Sequence, residues 1–381
     1  MQLRFLSRTW FALISSLSIQ EGSGLQVLRL LPTGDPLKVA LIAPPMISVP
    51  PADYGGTELF VAHLATALQD MGIEVVVYAN GESTVPVPRR SLYEHAEWPI
   101  KNAEHSWMRD NNHTSWAIHD AERECDILHV QSERAITFSR FSDRPMVLTL
   151  HGPHDPKLSE LYSFFPDIDY VCISHAQCRE ETMPRMHTVH HGIDIDQYRL
   201  IEQKQQYLSF IGRIAPLKGT HIAIDVAKRT GIPLKMAGDI QPVHRDYFER
   251  KIKPHIDGTL VDYIGLADLA TKNELLGNSL AMLFPIQWNE PFGLVMVEAM
   301  ACGTPVLAMP GGSVPEIVSP GVSGYICRSV IEMAKRARNL DLNPVTVRKY
   351  VEENFSTSRM AKAYERVYQA ALHERPREKV A

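Results

Sequence analysis

Two carboxylates, Glu290 and Glu298, flank an apolar stretch in NEPFGLVMVEAMACGTP, residues Asn289 to Pro305. The run AMLFPI before it reads as a strand, which makes Gln287 to Glu290 a loop at a strand's carboxyl end. Pro291 is placed to open a helix, FGLVMVEAMA, that stops at Cys302-Gly303. Free backbone N–H groups near Phe292, Gly293 and Leu294 would then suit an anion. Glu298 follows roughly 7–8 Å along the axis at about 1.5 Å per residue, near the span from a phosphate to a sugar ring. Carboxylates repel phosphate but accept hydrogen bonds from hydroxyls. The pattern therefore suits a molecule with phosphate in the middle and polyols at both ends, such as a nucleotide sugar. A solvated loop acid and a rim residue of an ordinary amphipathic helix would explain the same spacing.

FIGRIAPLKGTHIAIDVA carries a second group of residues. A strand ends at Gly212, and the loop after it presents Arg213 and Lys218 before Gly219 leads into a helix. Two cations there can neutralise a diphosphate leaving group, Arg as a fork and Lys as a point charge. The order Lys-Gly is not that of a Walker loop. Gly55-Gly56 in PADYGGTELF lets a backbone approach a ligand closely where a long helix starts, although a tight turn without a ligand needs the same pair. The dinucleotide fingerprint G-x-G-x-x-G is missing there, which weighs against a dehydrogenase. His151 ends the strand MVLTLHG and can donate to a sugar hydroxyl or a phosphate, while a structural role fits a lone histidine as well.

Other signals are read structurally. His154 makes a His-x-x-His pair with His151, but no third ligand is evident, so no metal site is expected. Asp167-x-Asp169 and Asp194-x-Asp196 read as caps or solvated acids. Ser313 and Glu316 in SVPEIV read as a capping box, and His63 as a satisfied core histidine. Trp98, Trp107 and Trp116 lie in EWPIKNAEHSWMRDNNHTSW, taken as an acceptor-side loop, and suit sugar stacking or hydrophobic anchoring.

The elements that must position these groups follow from periodicity. LKVALIA and IEVVVYA are apolar runs that bracket a stretch of helical spacing from Leu59 to Met71, a βαβ unit of a parallel sheet covered on both faces. DILHVQ, MVLTLHG and DYVCIS extend it, and YLSFIG, PLKMAG, DYIG, AMLFPI and TPVLAM build a second such domain. A chain of 381 residues suits two domains of roughly 150–200 residues. The expected division is an extension over 1–36, a first domain over 37–195, a second over 196–345, and a terminal helical segment over 346–381. Ligands bind at the carboxyl ends of such strands, so the chemistry is expected in the cleft between domains.

Composition narrows the class. Hydrophobic residues at 45% and charged ones at 22% describe a globular chain, and a net charge of −5 without a basic block excludes nucleic acid as the expected partner. Five cysteines without metal-type pairing read as reduced thiols in a cytoplasm. The N-terminal stretch places Arg4 and Arg8 before a short apolar run, the shape of a weak signal peptide or surface anchor. It lacks a clear small-residue cleavage site and is too short to span a bilayer, so a poorly ordered extension is expected.

Taken in order, YGGTELFVAHLATAL, LTLHGP, HGIDIDQY, GRIAPLKG and EPFGLVMVEAMACGTPVLA resemble the retaining glycosyltransferases of family 4, over about Leu37 to Tyr368. The resemblance implies an α/β fold of the GT-B type, two facing Rossmann-like doubly wound domains with an interdomain cleft, the nucleotide sugar held mainly by the second. By similarity Arg213 and Lys218 grip the diphosphate, Glu290 holds donor-sugar hydroxyls, and Glu298 holds the ribose. Backbone groups at Gly212 and at Phe292, Gly293 and Leu294 meet phosphate or sugar, His151 is the cleft histidine, and Gly55-Gly56 the glycine-rich loop. His191-Gly192-Ile193-Asp194 departs from the Asn-Gly-Val/Ile-Asp of many relatives.

The implied activity is retaining, metal-independent transfer of a hexosyl group from a nucleoside-diphosphate sugar, a UDP-sugar being the expected donor, to a sugar, lipid-linked or small-molecule hydroxyl acceptor. No cofactor is expected. The alternatives are a nucleotide-sugar epimerase on the same fold, a non-catalytic nucleotide-sugar-binding protein, and a transferase in peripheral contact with a membrane.

Overall fold

The computed structural model describes residues 36–52, 55–100 and 102–373. The N-terminal extension, apart from Pro36, and the charged tail after His373 lie outside the described residues.

Among the described residues thirteen strands form two sheets, parallel throughout. The first holds β1 (Lys38–Ile42), β2 (Glu74–Tyr78), β3 (Arg89–Arg90), β4 (Ile127–Val130), β5 (Met146–Leu150), β6 (Asp169–Cys172) and β7 (Met186–Thr188). Their order is β3-β2-β1-β4-β5-β6-β7. The second holds β8 (Leu208–Ile211), β9 (Leu234–Ala237), β10 (Val261–Tyr263), β11 (Ala281–Phe284), β12 (Val306–Ala308) and β13 (Gly324–Ile326), ordered β10-β9-β8-β11-β12-β13. In each sheet the order reverses beside the first strand, the point where open α/β sheets bind ligands. Strands β3, β7 and β13 are short edge strands without the continuous apolar run that reveals a buried parallel strand, which is why the sequence pattern passes over them.

Alternation explains the first core. Val39, Leu41, Val75, Val77, Val147 and Val171 face one side with Phe60, Leu64 and Leu68 of the Gly56–Asp70 helix. Ala40, Ile42, Val76, Tyr78, Leu128 and Leu148 face the other, toward the Ala103–Ala121 helix. Each fully buried large apolar side chain stabilises the fold by about 1.5–3 kcal/mol. The Ala103–Ala121 helix, capped by Asn102 accepting from the His105 N–H at 3.1 Å, occupies most of the stretch expected as a loop. Its buried stripe of Ser106, Asp110, His113, Thr114 and Ala117 is largely polar, so apolar periodicity does not report it.

The last described helix, Thr357–His373, packs Met360, Tyr364, Val367 and Tyr368 under the first sheet. The Tyr368 hydroxyl lies 2.8 Å from His129 Nδ1, His129 Nε2 lies 2.8 Å from the Thr149 hydroxyl, and that hydroxyl lies 2.8 Å from the Tyr364 hydroxyl. Every member of this chain is buried, so each polar atom needs the other. Where the backbone crosses between sheets, the Ile193 N–H donates to the Phe355 carbonyl at 2.9 Å, and the Thr357 N–H to the Ile193 carbonyl at 3.2 Å. Among the described residues no helix is long and apolar enough to cross a membrane.

Candidate functional site

β8 and β11 are neighbours in the second sheet, and Gly219 lets the loops that follow them pack closely. Its φ of 71° is left-handed, and a Cβ there would lie 1.9 Å from the Pro285 carbonyl oxygen, so a larger residue would force the loop away. The Pro216–Lys218 turn before it swings Lys218 over the loop after β11, where Nζ lies 2.5 Å from Glu290 Oε2. Trp288 Nε1 donates to the same oxygen at 2.8 Å, and Lys218 Nζ lies 4.9 Å from the Trp288 ring centroid. Glu290 is 8% exposed and thus buried with its charge matched.

The segment after β12 supports this loop. The Ser313 N–H donates to the Glu290 carbonyl at 2.9 Å, and Ser313 Oγ donates to the Phe292 carbonyl at 2.7 Å. A Cβ on Gly312 would lie 2.2 Å from the Glu290 carbonyl oxygen. The helix itself runs Leu294–Ala301, starting later than the position of Pro291 suggests. Gly293 has φ 81°, a left-handed residue cannot continue an α-helix, and the helix begins only after it. Glu298, 3% exposed, takes the Tyr198 hydroxyl and Lys272 Nζ, both at 3.0 Å on Oε1.

Arg213, from the loop after β8, has the Gln241 amide oxygen at 3.5 Å and no carboxylate partner among the described residues. Across the cleft, His151 Nε2 lies 2.8 Å from Gln131 Oε1. His151 is half-buried, with Phe60 and His191 crowding its ring at centroid distances of 5.0 and 5.7 Å, and burial lowers its pKa to about 3. Gly55, with φ 146°, caps the Gly56–Asp70 helix, and a Cβ on Gly56 would meet nothing within 4 Å. Packing therefore does not demand glycine at 56, and the space above it belongs to the cleft.

All eleven site residues proposed from the sequence, Gly55, Gly56, His151, Gly212, Arg213, Lys218, Glu290, Phe292, Gly293, Leu294 and Glu298, line one cleft of about 470 Å³. The sequence reading missed Lys272 and His191, which line it too. With Lys272 the cleft carries Arg213, Lys218 and Lys272 against Glu290 and Glu298, three cations to two carboxylates, so an anion is attracted despite the acids.

Several other readings change. Ser313 has helical φ and ψ of −74° and −10° and makes no capping bond, because an N-cap needs an extended backbone. Glu316 caps a helix in the other half instead: its oxygens accept from the His175 N–H at 2.7 Å and the Ala176 N–H at 2.6 Å, and His190 Nε2 lies at 3.0 Å. Burial raises the Glu316 pKa, but His190 and the two N–H groups outweigh it and hold the carboxyl below its ordinary range. Asp169 is neither cap nor solvated: it is buried in β6 with His187 Nε2 at 2.8 Å. Asp194 does cap, accepting from the Asp196 N–H at 3.2 Å. His63 is buried, but its Nε2 has no partner among the described residues, so it is not fully satisfied. His151 and His154 turn to different partners, Gln131 and Glu181. Trp107 and Trp116 sit on the Ala103–Ala121 helix; Trp107 is exposed, Trp116 packs on Tyr78 at 5.7 Å, and neither lines the cleft. Trp98 is exposed and also lies outside the cleft lining.

Two parallel, doubly wound halves meeting at a cationic cleft define the GT-B class of glycosyltransferase. Residues 54–197 match the family described as Glycosyltransferase Family 4, and residues 194–354 match Glycosyl transferases group 1. The chain belongs to these group 1, family 4 glycosyltransferases. It is 26% identical over 386 residues to a glycogen synthase of Mycobacterium tuberculosis, covering 84% of this chain and 92% of that one. A D-inositol 3-phosphate glycosyltransferase of Mycolicibacterium smegmatis is 32% identical over 162 residues, 37% of this chain and 36% of the relative. The structure resembles AviGT4, a glycosyltransferase involved in avilamycin A biosynthesis, with a TM-score of 0.70 and 25% identity over 89% of this chain and 99% of that one. Anabaena HepE, solved in complex with UDP and glucose, shares the fold at a TM-score of 0.67 and 18% identity, over 87% and 98% of the two chains.

Proposed function

We propose that this glycosyltransferase moves a hexosyl group from a nucleoside-diphosphate sugar, a UDP-sugar in the first instance, to a hydroxyl acceptor, with retention and without a metal ion. The observation that carries the reading is the cationic cleft, in which Arg213 has no carboxylate partner among the described residues and Lys218 is shared with Glu290. A diphosphate entering there meets Arg213 and draws Lys218 from Glu290, freeing that carboxylate to accept from sugar hydroxyls. Glu298 at the other end accepts from the ribose.

In the reaction the bond from anomeric carbon to phosphate oxygen breaks, and the nucleoside diphosphate leaves with its charge met by Arg213 and Lys218. The acceptor oxygen bonds to the same face of the sugar, and its proton passes to the departing phosphate oxygen. The only carboxylates among the described residues lining the cleft, Glu290 and Glu298, are both lysine-paired, which supports this single-site route over a covalent glycosyl-enzyme. Closure of the halves would limit hydrolysis of the donor.

A thermal-shift screen of UDP-, GDP-, ADP- and dTDP-sugars with and without EDTA, repeated on Arg213→Ala, tests the reading. The expected result is a shift of several degrees from one nucleotide class, unchanged by EDTA and lost in the variant. No shift from any donor would overturn it, and EDTA-sensitive binding would overturn metal independence. Interconversion of sugars without release of nucleoside diphosphate would favour the epimerase.

A further inference from the structure

Three side chains meet where the two halves touch, outside the cleft lining: His175, His190 and Glu316. His175 opens the His175–Cys178 helix after β6, His190 follows β7, and Glu316 lies on the Val314–Ile317 helix of the second half. One donor atom from each, a ring nitrogen of either histidine and a carboxylate oxygen, lie within 4.8 Å of one another.

The capping role of Glu316 accounts for only part of this meeting. The His175 and Ala176 N–H groups hold the carboxylate, and His190 Nε2 adds a contact at 3.0 Å. His175 takes part there through its backbone alone. Its exposed ring has no hydrogen-bond partner among the described residues, yet stands edge-on to the His190 ring at 5.7 Å and 79°.

Two imidazoles and a carboxylate are a ligand set for zinc, whereas magnesium and calcium take oxygen donors. Tetrahedral zinc with bonds of about 2.0–2.1 Å sets neighbouring donor atoms ~3.3 Å apart. The 3.0 Å between His190 Nε2 and Glu316 Oε2 is close to that span, and a turn of the exposed His175 side chain completes the set. The ligands are also held from outside, as metal ligands need. The two N–H groups orient the carboxylate, and Phe292 and Phe355 flank the His190 ring, each at 5.9 Å between centroids.

We infer that His175, His190 and Glu316 bind one zinc ion, with water in the fourth position, and that the ion fastens the two halves together. Opening the halves then has to break a metal bond, so the ion favours the arrangement in which they touch. None of the three ligands lines the cleft of Arg213, Lys218, Glu290 and Glu298, so the ion regulates opening and takes no part in transfer.

The test uses the full chain, freed of metal with EDTA and dialysed at pH 7.5, as wild type, His175→Ala, His190→Gln and Glu316→Gln. His175→Ala keeps the capping N–H, and His190→Gln keeps a donor toward Glu316, so both should fold, as matching far-UV circular dichroism would show. Calorimetry with zinc chloride should find one tight site in wild type, with no comparable affinity for magnesium chloride. Each substitution should weaken that site at least ten- to hundredfold, the cost of losing even an outer-shell partner. Zinc should also slow amide hydrogen exchange in wild type at both His175–Cys178 and Val314–Ile317, and in none of the variants. Equal zinc affinity in wild type and in folded His175→Ala or His190→Gln, or magnesium binding as tight as zinc, would overturn the site. Slower exchange confined to one half would overturn the bridge.

Discussion

Lys218 and Trp288 converge on one oxygen of Glu290, and Lys272 and Tyr198 on one oxygen of Glu298, so both acids are positioned before a ligand arrives. Position without charge is a usable test. Glu290→Gln keeps an acceptor but releases Lys218, so nucleoside diphosphate should bind as tightly as to wild type or tighter while turnover falls about a hundredfold. Glu298→Gln should instead weaken the nucleotide about tenfold and destabilise the fold by about 1–3 kcal/mol, because Lys272 loses its partner. Calorimetry and steady-state kinetics on both variants decide, and equal, negligible effects would remove the assignment. At this scale the acids and Arg213 with Lys218 were legible because short motifs carry them. Lys272 and Tyr198 were not: they lie 26 and 100 residues from Glu298, and no local spacing links them.

Elements are positioned by burial and by the polar atoms that burial traps. The Thr357–His373 helix is tied beneath β4 and β5 through Tyr368, His129, Thr149 and Tyr364, and β5 leads directly into His151. Tyr368→Phe keeps the packing but strands His129 Nδ1, and a cost of about 1–3 kcal/mol is expected in urea unfolding at pH 7.5. Protonation acts on the same group. Burial lowers the His129 pKa to about 3, whereas an unfolded imidazole titrates near its ordinary 6.5. The unfolded chain therefore binds more protons between those values, and wild-type stability should fall as pH drops from 6.5 toward 3. A urea midpoint that is unchanged by the substitution and constant from pH 7.5 to 4.5 would contradict the account. The amphipathic Gly56–Asp70 helix and the buried strands announced themselves by period; the Ala103–Ala121 helix, with polar residues on its buried stripe, did not.

For the whole molecule, the contact between halves rests partly on Glu316, which reaches from the second half to cap the His175–Cys178 helix of the first. Asn289, one residue before Glu290, adds a bond from Nδ2 to Glu180 at 2.9 Å. Contacts of this kind, few enough to break, suit the closure of the halves that the proposed reaction calls for. Glu316→Ala removes three bonds at once and should lower stability by about 1–3 kcal/mol and enlarge the radius of gyration in small-angle scattering. Unchanged scattering with an unchanged urea midpoint would show that other contacts hold the halves.

Local physics made the two α/β halves, the glycine-rich turns, the acid pair and the basic loop readable in the chain alone. Each depends on neighbours within a helical turn, a strand or a short loop, where period and residue type carry the information. Only the tertiary structure decided that Lys272 and Tyr198 share Glu298, that Glu316 caps the opposite half, and that His191 turns toward the cleft with a nitrogen unpaired. Those pairings join segments far apart in sequence, and a carboxylate or imidazole binds whichever donor folding brings within about 3 Å, a choice that spacing along the chain does not encode.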